Sequence, residues 1–347
     1  MRLNHKVSKL DKVVIFGHKG LIGSAIVRKL KNRDYKKIII EDKKDLNLLD
    51  TKKVSNFFKK NKPQIIIIAA ARVGGIYANT QYPFNFLYEN MLIQNNIISS
   101  SIKFSSKKLI FLGSSCIYPK NWNKPFVEKD LSLANLEKTN EPYAIAKISG
   151  LKLCETFNKQ YNNKYPKFLT IIPPNLFGPN DNYDLKNSHV LAALIRKFYN
   201  AKKNNLDKIE IWGTGKPRRE FLHSECAADI IIDLMESSEK KILKHTKGQY
   251  SHINIGLGVD FTISEIVKKL KYISKFKGKI VYNRKFPDGV KRKLLNIDLL
   301  KKISPKSLIR IKKNIREFDD NLKTEYEKIT EKTFKKFEKN STFNLPI

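Results

Sequence analysis

Short apolar runs and amphipathic stretches take turns along the first half of the chain. Lys12 to Phe16 is a compact apolar run that passes through a glycine-rich turn, Gly17-His18-Lys19-Gly20-Leu21-Ile22-Gly23, into a helix with apolar residues at helical spacing to about Lys31. Lys37 to Ile40 reads as a second strand, Thr51 to Lys60 as a helix and Gln64 to Ala70 as a third strand. Pro83 to Phe104 reads as a long helix, its proline near the first turn, where no intrahelical N–H is needed. Lys108 to Leu112, Glu141 to Tyr161 and Phe168 to Ile172 continue as strand, helix and strand. Alternation of this kind predicts an α/β chain with a parallel, doubly wound sheet.

The pattern changes after Pro173-Pro174-Asn175. Loops rich in Pro, Gly and Asn surround a helix near His189 to Tyr199 and a short strand at Lys208 to Trp212. Ser224 to Glu236 and Ile253 to Gly256 read as segments that return to the first domain. We therefore expect a Rossmann-type nucleotide-binding domain over residues 11–176, with returning segments at about 224–256. A smaller substrate lobe is expected from 177–223 and 257–340. Thr262-Ile263-Ser264-Glu265 is a capping box opening another helix, and Asn314 to Lys339 is charged and expected to be helical.

Composition narrows the functional classes. The longest uninterrupted apolar run, Ile65 to Ala71, is far shorter than the roughly 20 residues of a membrane helix, so no membrane role is expected. The first residues are basic but lead into no apolar signal region, and the expected location is the cytoplasm. Cys116, Cys154 and Cys226 show no paired spacing and no histidine pair has zinc-ligand spacing, which argues against disulfides and a metal. The net charge of +35 is spread as lysines over every expected helix surface. A solvated surface is expected, not a nucleic-acid interface, with a positive field able to steer an anionic substrate.

Two stretches carry chemistry. Gly113-Ser114-Ser115-Cys116-Ile117-Tyr118-Pro119 begins just past the carboxyl end of the fourth strand, where ligands bind in open α/β sheets. Tyr143 and Lys147 stand four residues apart in the first two turns of the next expected helix and share a face. An ammonium beside the phenol favours its ionised form, making Tyr143 a candidate proton donor. In the turn before the first helix, Gly17, Gly20 and Gly23 permit a tight bend and close approach of backbone to a pyrophosphate, with His18, Lys19, Leu21 and Ile22 beside it.

Together, the glycine turn, the serine after the fourth strand and Tyr-x-x-x-Lys resemble the extended short-chain dehydrogenase/reductases. Ser114 to Lys120, Asn140 to Lys147, Asn187-Ser188-His189-Val190, Arg219-Glu220-Phe221-Leu222-His223, Ser251 to Gly256 and Pro287-Asp288-Gly289 are similar to strings of the GDP-L-fucose synthase family within them. The resemblance runs from about Lys12 to Ile297. It implies inversion of C3 and C5 of GDP-4-keto-6-deoxy-D-mannose followed by NADPH-dependent reduction of the C4 ketone to give GDP-L-fucose. Each inversion requires one group to remove an acidified proton and another to return one from the opposite face. The resemblance implies Cys116 as base and His189 as acid, with Ser114 and Tyr143 holding the C4 oxygen and Tyr143 protonating it.

By the same resemblance, Lys43, Leu112, Gly113, Ser114, Ser115, Lys147, Pro173, Pro174, Asn175, Leu176 and His189 join the glycine turn in holding the cofactor. Lys197, Trp212, Arg219 and Asp288 match positions that contact the GDP-sugar. NADP is expected over NAD, although Glu41 and Asp42 follow the second strand where an acidic residue disfavours a 2′-phosphate; Lys19, Lys43 and Lys44 are its candidate partners. Structural or cofactor-positioning roles are expected for His18, His223 and His252. A 4,6-dehydratase would need an Asp-Glu pair where this chain has Ser115-Cys116. A related keto-deoxy sugar is the alternative substrate, and a non-catalytic RNA-binding protein the remote one. A homodimer through Pro83 to Phe104 and Glu141 to Tyr161 is expected.

Overall fold

The computed structural model describes residues 7–329 except 121, 132–134, 162–166, 186 and 287, together with Thr333. The first half runs β1 (Lys12–Phe16), α1 (Leu21–Asn32), β2 (Lys37–Ile39), α2 (Thr51–Asn61), β3 (Ile65–Ile68), α3 (Ile76–Gln81), α4 (Pro83–Lys103), β4 (Lys108–Leu112), α5 (Glu141–Gln160) and β5 (Phe168–Ile172). There follow β6 (Asn175–Phe177), α6 (Val190–Lys203), β7 (Lys208–Trp212), β8 (Arg218–Arg219), β9 (Phe221–His223), α7 (Ser224–Glu236), α8 (Glu239–Thr246) and β10 (His252–Asn254). The chain continues through β11 (Phe261–Thr262), α9 (Ile263–Ser274), β12 (Lys279–Asn283), β13 (Arg292–Lys293), α10 (Asp298–Ile303), α11 (Pro305–Arg316) and α12 (Phe318–Glu327).

Six parallel strands form the main sheet in the order β10-β5-β4-β3-β1-β2. Both faces are covered, which explains why its strands are apolar without interruption. Val13, Ile15, Ile65, Ile67, Ile110, Leu169 and Ile171 point to one layer with α1, α7 and α11. Val14, Phe16, Ile66, Ile68, Leu109, Phe111 and Phe168 point to the other, with residues of α2, α4 and α5. Successive side chains thus feed two cores, as the period of two along a strand requires. The strand order reverses between β1 and β3, and in such sheets the crevice at that reversal takes the nucleotide.

A separate core gathers Phe177, Phe221 and the apolar faces of α6, α9 and α12 beside the parallel pair β7 and β12. A small three-stranded sheet pairs β8 antiparallel with β11 and parallel with β13. The expected capping box is present: Glu265 N donates to Thr262 Oγ1 at 3.0 Å while Thr262 N donates to Glu265 Oε2 at 2.6 Å. The charged tail is not one helix. α11 ends at Arg316 and α12 begins at Phe318, with Phe318 turned into the smaller core against Phe261. The part of the expected tail helix after Ile329, apart from Thr333, lies outside the described residues, as does Pro287.

Candidate active site

Gly17 adopts φ +88°, and a Cβ there would lie 2.6 Å from Ala70 N, so the turn after β1 closes onto the end of β3 only without a side chain. A Cβ on Gly23 would lie 2.1 Å from Gly17 O, so α1 packs hard against the turn. At Gly20, the α1 N-cap, an added Cβ meets nothing nearer than Gly17 O at 3.5 Å, and no side chain caps this helix end. The open helix terminus, free of acidic residues in its first turn, suits a pyrophosphate. Beside it, Asp42 accepts from Lys19 Nζ at 2.6 Å and lies 3.2 Å from His18 Nε2. The lysine proposed for a 2′-phosphate is therefore tied to the carboxylate that would oppose it, and Lys19 holds the Asp42 carboxyl below its usual range. Lys43 is exposed in the same loop.

At the end of β4, Gly113 N donates to Ile171 O at 2.8 Å and Ser115 N to Pro173 O at 3.2 Å. Ser114 caps a single 3₁₀ turn, its Oγ accepting from Cys116 N at 3.4 Å. That turn delivers Cys116 into a cluster with Tyr118, Phe126, Ile172, Leu295 and the partly buried Tyr143. Tyr118 hydroxyl donates to Asn254 Oδ1 at 2.7 Å, and Asn254 Nδ2 donates to Phe126 O at 3.0 Å. Asn254 N donates to Glu128 Oε1, and His252 Nε2 lies 3.0 Å from Glu128 O. The loop after Cys116 is thereby bound to β10, giving His252 a structural role. His223 caps α7 and faces Glu325, and Asn175 Nδ2 donates to Glu220 O at 3.2 Å.

Lys147 Nζ donates to Leu112 O at 2.8 Å and lies 5.7 Å from the Tyr143 ring centroid. Burial lowers Lys147 to about 8, whereas burial, reinforced by Cys116, raises the Tyr143 phenol above its usual range. Burial and Cys116, rather than Lys147, dominate the Tyr143 phenol, and both favour its protonated form. Burial also raises the Cys116 thiol, opposed by Lys293, the Ser114 hydrogen bond and Lys147. Crowding by protein atoms in the cleft and the field of Lys293 lower the solvent-accessible His189 imidazole. His189 is the N-cap of α6 and follows a segment seated by Gly75 N donating to Asn187 O at 2.9 Å. A Cβ on Gly75 would meet Ser188 O at 2.5 Å, so that seat depends on glycine.

At the end of β7, Trp212 is 53% exposed and stacked on Phe286, with centroids 4.4 Å apart. Lys197 Nζ lies 5.1 Å from the Trp212 ring and donates to Glu210 O. Asp288 is spent on its neighbour, accepting from Thr214 N at 2.8 Å and from Thr214 Oγ1 at 2.6 Å. Arg219 donates to Val290 O at 2.5 Å and to Arg218 O, and burial lowers it to about 10. Arg218, whose role the sequence left open, bonds Asp260 together with Arg292. Two residues outside the sequence expectations matter here. Lys293 stands opposite Arg219 in register, and Glu220 accepts from Leu257 N, Gly258 N and Leu295 N. Among the described residues no group of His, Cys, Asp and Glu is arranged to hold a metal, and no helix is long and apolar enough to cross a membrane.

Comparison with known proteins agrees with this geometry. Residues 13–256 match the model of the NAD dependent epimerase/dehydratase family. GDP-L-fucose synthase of Escherichia coli is 44% identical over 290 residues, 84% of this chain and 89% of that protein. The crystal structure of a GDP-6-OMe-4-keto-L-xylo-heptose reductase from Campylobacter jejuni superposes with a TM-score of 0.79 at 33% identity, covering 89% of this chain and 99% of that one. That of a GDP-L-fucose synthetase from Naegleria fowleri bound to NADP gives 0.77 at 26% identity, covering 92% and 97%. A doubly wound sheet with a glycine turn at its switch point, a Ser-x-Cys turn beside Tyr-x-x-x-Lys and a match of this extent place the chain in the NAD dependent epimerase/dehydratase family, among the relatives of the GDP-L-fucose synthases.

Proposed function

We propose that the chain converts GDP-4-keto-6-deoxy-D-mannose to GDP-L-fucose, inverting C3 and C5 and then reducing C4 with NADPH. The observation that carries this reading is a thiol, Cys116, packed in one cluster with Tyr143 while Lys147 Nζ is seated on Leu112 O at the end of β4, so that a proton-abstracting group stands beside a carbonyl-polarising pair. Ser114 and Tyr143 hydrogen-bond the C4 oxygen and stabilise the negative charge that develops there in both reactions. Cys116 removes a proton from the carbon next to that carbonyl, and His189 returns one from the other side. Tyr143, kept protonated by burial, then gives its proton to the C4 oxygen. The nicotinamide cofactor, when bound, supplies the hydride for C4.

The glycine turn, the open α1 terminus and Lys147 are the groups fitted to hold that cofactor. NADPH is preferred because Lys19 neutralises Asp42 and Lys43 remains free to meet a 2′-phosphate. Arg219 and Lys197 take the diphosphate side of the substrate and Trp212 its base. Asp288 supports that surface by bracing the Thr214 turn. The working unit is a homodimer through α4 and α5, where Phe84 and Tyr88 stack 5.2 Å apart and lie 68% and 50% exposed. The test is NADPH oxidation on adding GDP-4-keto-6-deoxy-D-mannose, with the sugar product identified by NMR and NADH run in parallel. GDP-L-fucose as product supports the reading; a reduced but unepimerised sugar, or no oxidation, rejects it.

A further inference from the structure

We propose that Phe286 is a positioning residue for the nucleotide base, its ring holding the Trp212 indole at the angle on which a purine stacks. The inference rests on Trp212 meeting the base, as assigned above, and adds the residue that orients it. β7 and β12 run in parallel and end together, with Trp212 opposite Asn283. Alternate residues of β7 part company: Ile209 and Ile211 enter the smaller core, while Glu210 and Trp212 turn outward. No core packing therefore fixes the indole, and its orientation comes from the chain beyond β12.

That chain is tied to the residues beyond β7 at two points. Gly213 N donates to Asn283 O at 2.9 Å, and Thr214 N and Oγ1 donate to Asp288 at 2.8 and 2.6 Å. Gly213 adopts φ +79°, and a Cβ there would collide with Asp288 Oδ1, so the approach requires glycine. Phe286 lies between the two ties in sequence. Lys285 N donates to Asn283 Oδ1 at 3.0 Å and Phe286 N to Asn283 O at 3.4 Å, a turn that lays the Phe286 ring on Trp212. The two ring planes are 14° apart with centroids at 4.4 Å, a stacked pair. Phe286 is itself 38% exposed, so the pair forms an aromatic surface open to solvent and not a buried contact. Lys197 Nζ, 5.1 Å from the indole centroid, sets a cation beside that surface, which suits a base carrying a diphosphate. An indole already fixed by one neighbour has less rotamer freedom to lose when a base stacks on it.

The experiment measures binding of GDP and of ribose 5-diphosphate to the full chain by isothermal titration calorimetry, with NADP present to occupy the cofactor groove. Phe286→Ala, Phe286→Tyr, Trp212→Ala and the double alanine variant are compared with the wild type. Phe286→Ala is expected to weaken GDP about threefold, Phe286→Tyr to keep the wild-type affinity, and Phe286→Ala to cost nothing further once Trp212 is gone. Ribose 5-diphosphate, which has no base, should bind all of them alike. Trp122 and Trp212 are the two tryptophans of the chain, so subtracting the emission of Trp212→Ala isolates Trp212. Its quenching at saturating GDP should fall in Phe286→Ala and return in Phe286→Tyr. Wild-type GDP affinity in Phe286→Ala, an equal loss for ribose 5-diphosphate, or the same loss with and without Trp212 overturns the inference. Wild-type GDP affinity in Trp212→Ala overturns instead the assignment of the base on which the inference stands.

Discussion

Ser114, Cys116, Tyr143 and Lys147 follow β4 or stand on α5, a strand of the six-stranded sheet and a helix packed on it, whereas Arg219 and Lys293 stand on strands of two residues and Asp288 on a loop. The first wall of the cleft owes its geometry to the main core. A Cβ on Gly150 would meet Phe111 Cζ at 2.6 Å, which measures how closely α5 lies on the sheet behind Tyr143 and Lys147. The second wall is assembled from side-chain bridges. Glu220 gathers three backbone N–H groups, Asp260 joins Arg218 to Arg292, and Asp288 closes on Thr214. The difference teaches that the groups proposed to react are held by the scaffold, while those proposed to recognise an anionic substrate are held by one another.

If the walls divide chemistry from recognition, variants should divide kcat from KM. The largest effect is expected from Tyr143→Phe, which removes the proton donor at C4 and should lower kcat for NADPH oxidation by about 10² to 10⁴ with KM little changed. Arg219→Met should do the reverse, raising KM about 10- to 100-fold through the loss of charge-assisted hydrogen bonds to the diphosphate, with kcat within a few-fold. A large fall in kcat in that variant would break the division. The pH profile of reduction sharpens the first wall further. Because Tyr143 is raised and Lys147 is lowered to about 8, the alkaline loss of reduction should centre near 8 and come from Lys147 losing its proton. Between pH 7 and 9 the rate should fall by about tenfold, and Lys147→Arg should remove that limb, since a guanidinium stays charged. The smallest effect is expected from Trp212→Ala, a rise in KM of about three- to tenfold measured by steady-state titration, since one half-exposed ring supplies stacking and no charge.

The same contrast explains what could be read in the chain before its structure was seen. β1, β3, β4 and α5 announce themselves because their information is local: apolar runs, a proline at a helix start, a tyrosine and lysine at one helical turn. The Thr262 capping box is equally local. Lys293 goes unread, and Glu220 is read only as part of a similar string without a role, because their positions depend on partners 74 and 37 residues away in sequence, Arg219 opposite one and Leu257 bonded to the other. A two-residue strand carries no period, and α3, at six residues with no side-chain cap, carries hardly more. Spacing also fixes proximity without direction. Tyr143 and Lys147 do share a face, but the ammonium turns to Leu112 O, and burial, not the lysine, decides the state of the phenol. For Asp42, residue type alone signals opposition to a 2′-phosphate, while the pairing with Lys19 that alters its meaning comes from the fold of the turn.

The central claim is that one cleft performs both reactions, with Cys116 as the base for inversion and Tyr143 as the donor for reduction. Its most direct test is Cys116→Ser incubated in D2O with GDP-4-keto-6-deoxy-D-mannose and NADPH, the product analysed by NMR for configuration and deuterium at C3 and C5. The account predicts that NADPH is still consumed while deuterium incorporation falls by about a hundredfold or more and the product keeps the configuration of the substrate at both carbons. A product that is deuterated and inverted at the wild-type rate would contradict it, and would move the base to another residue of the cleft.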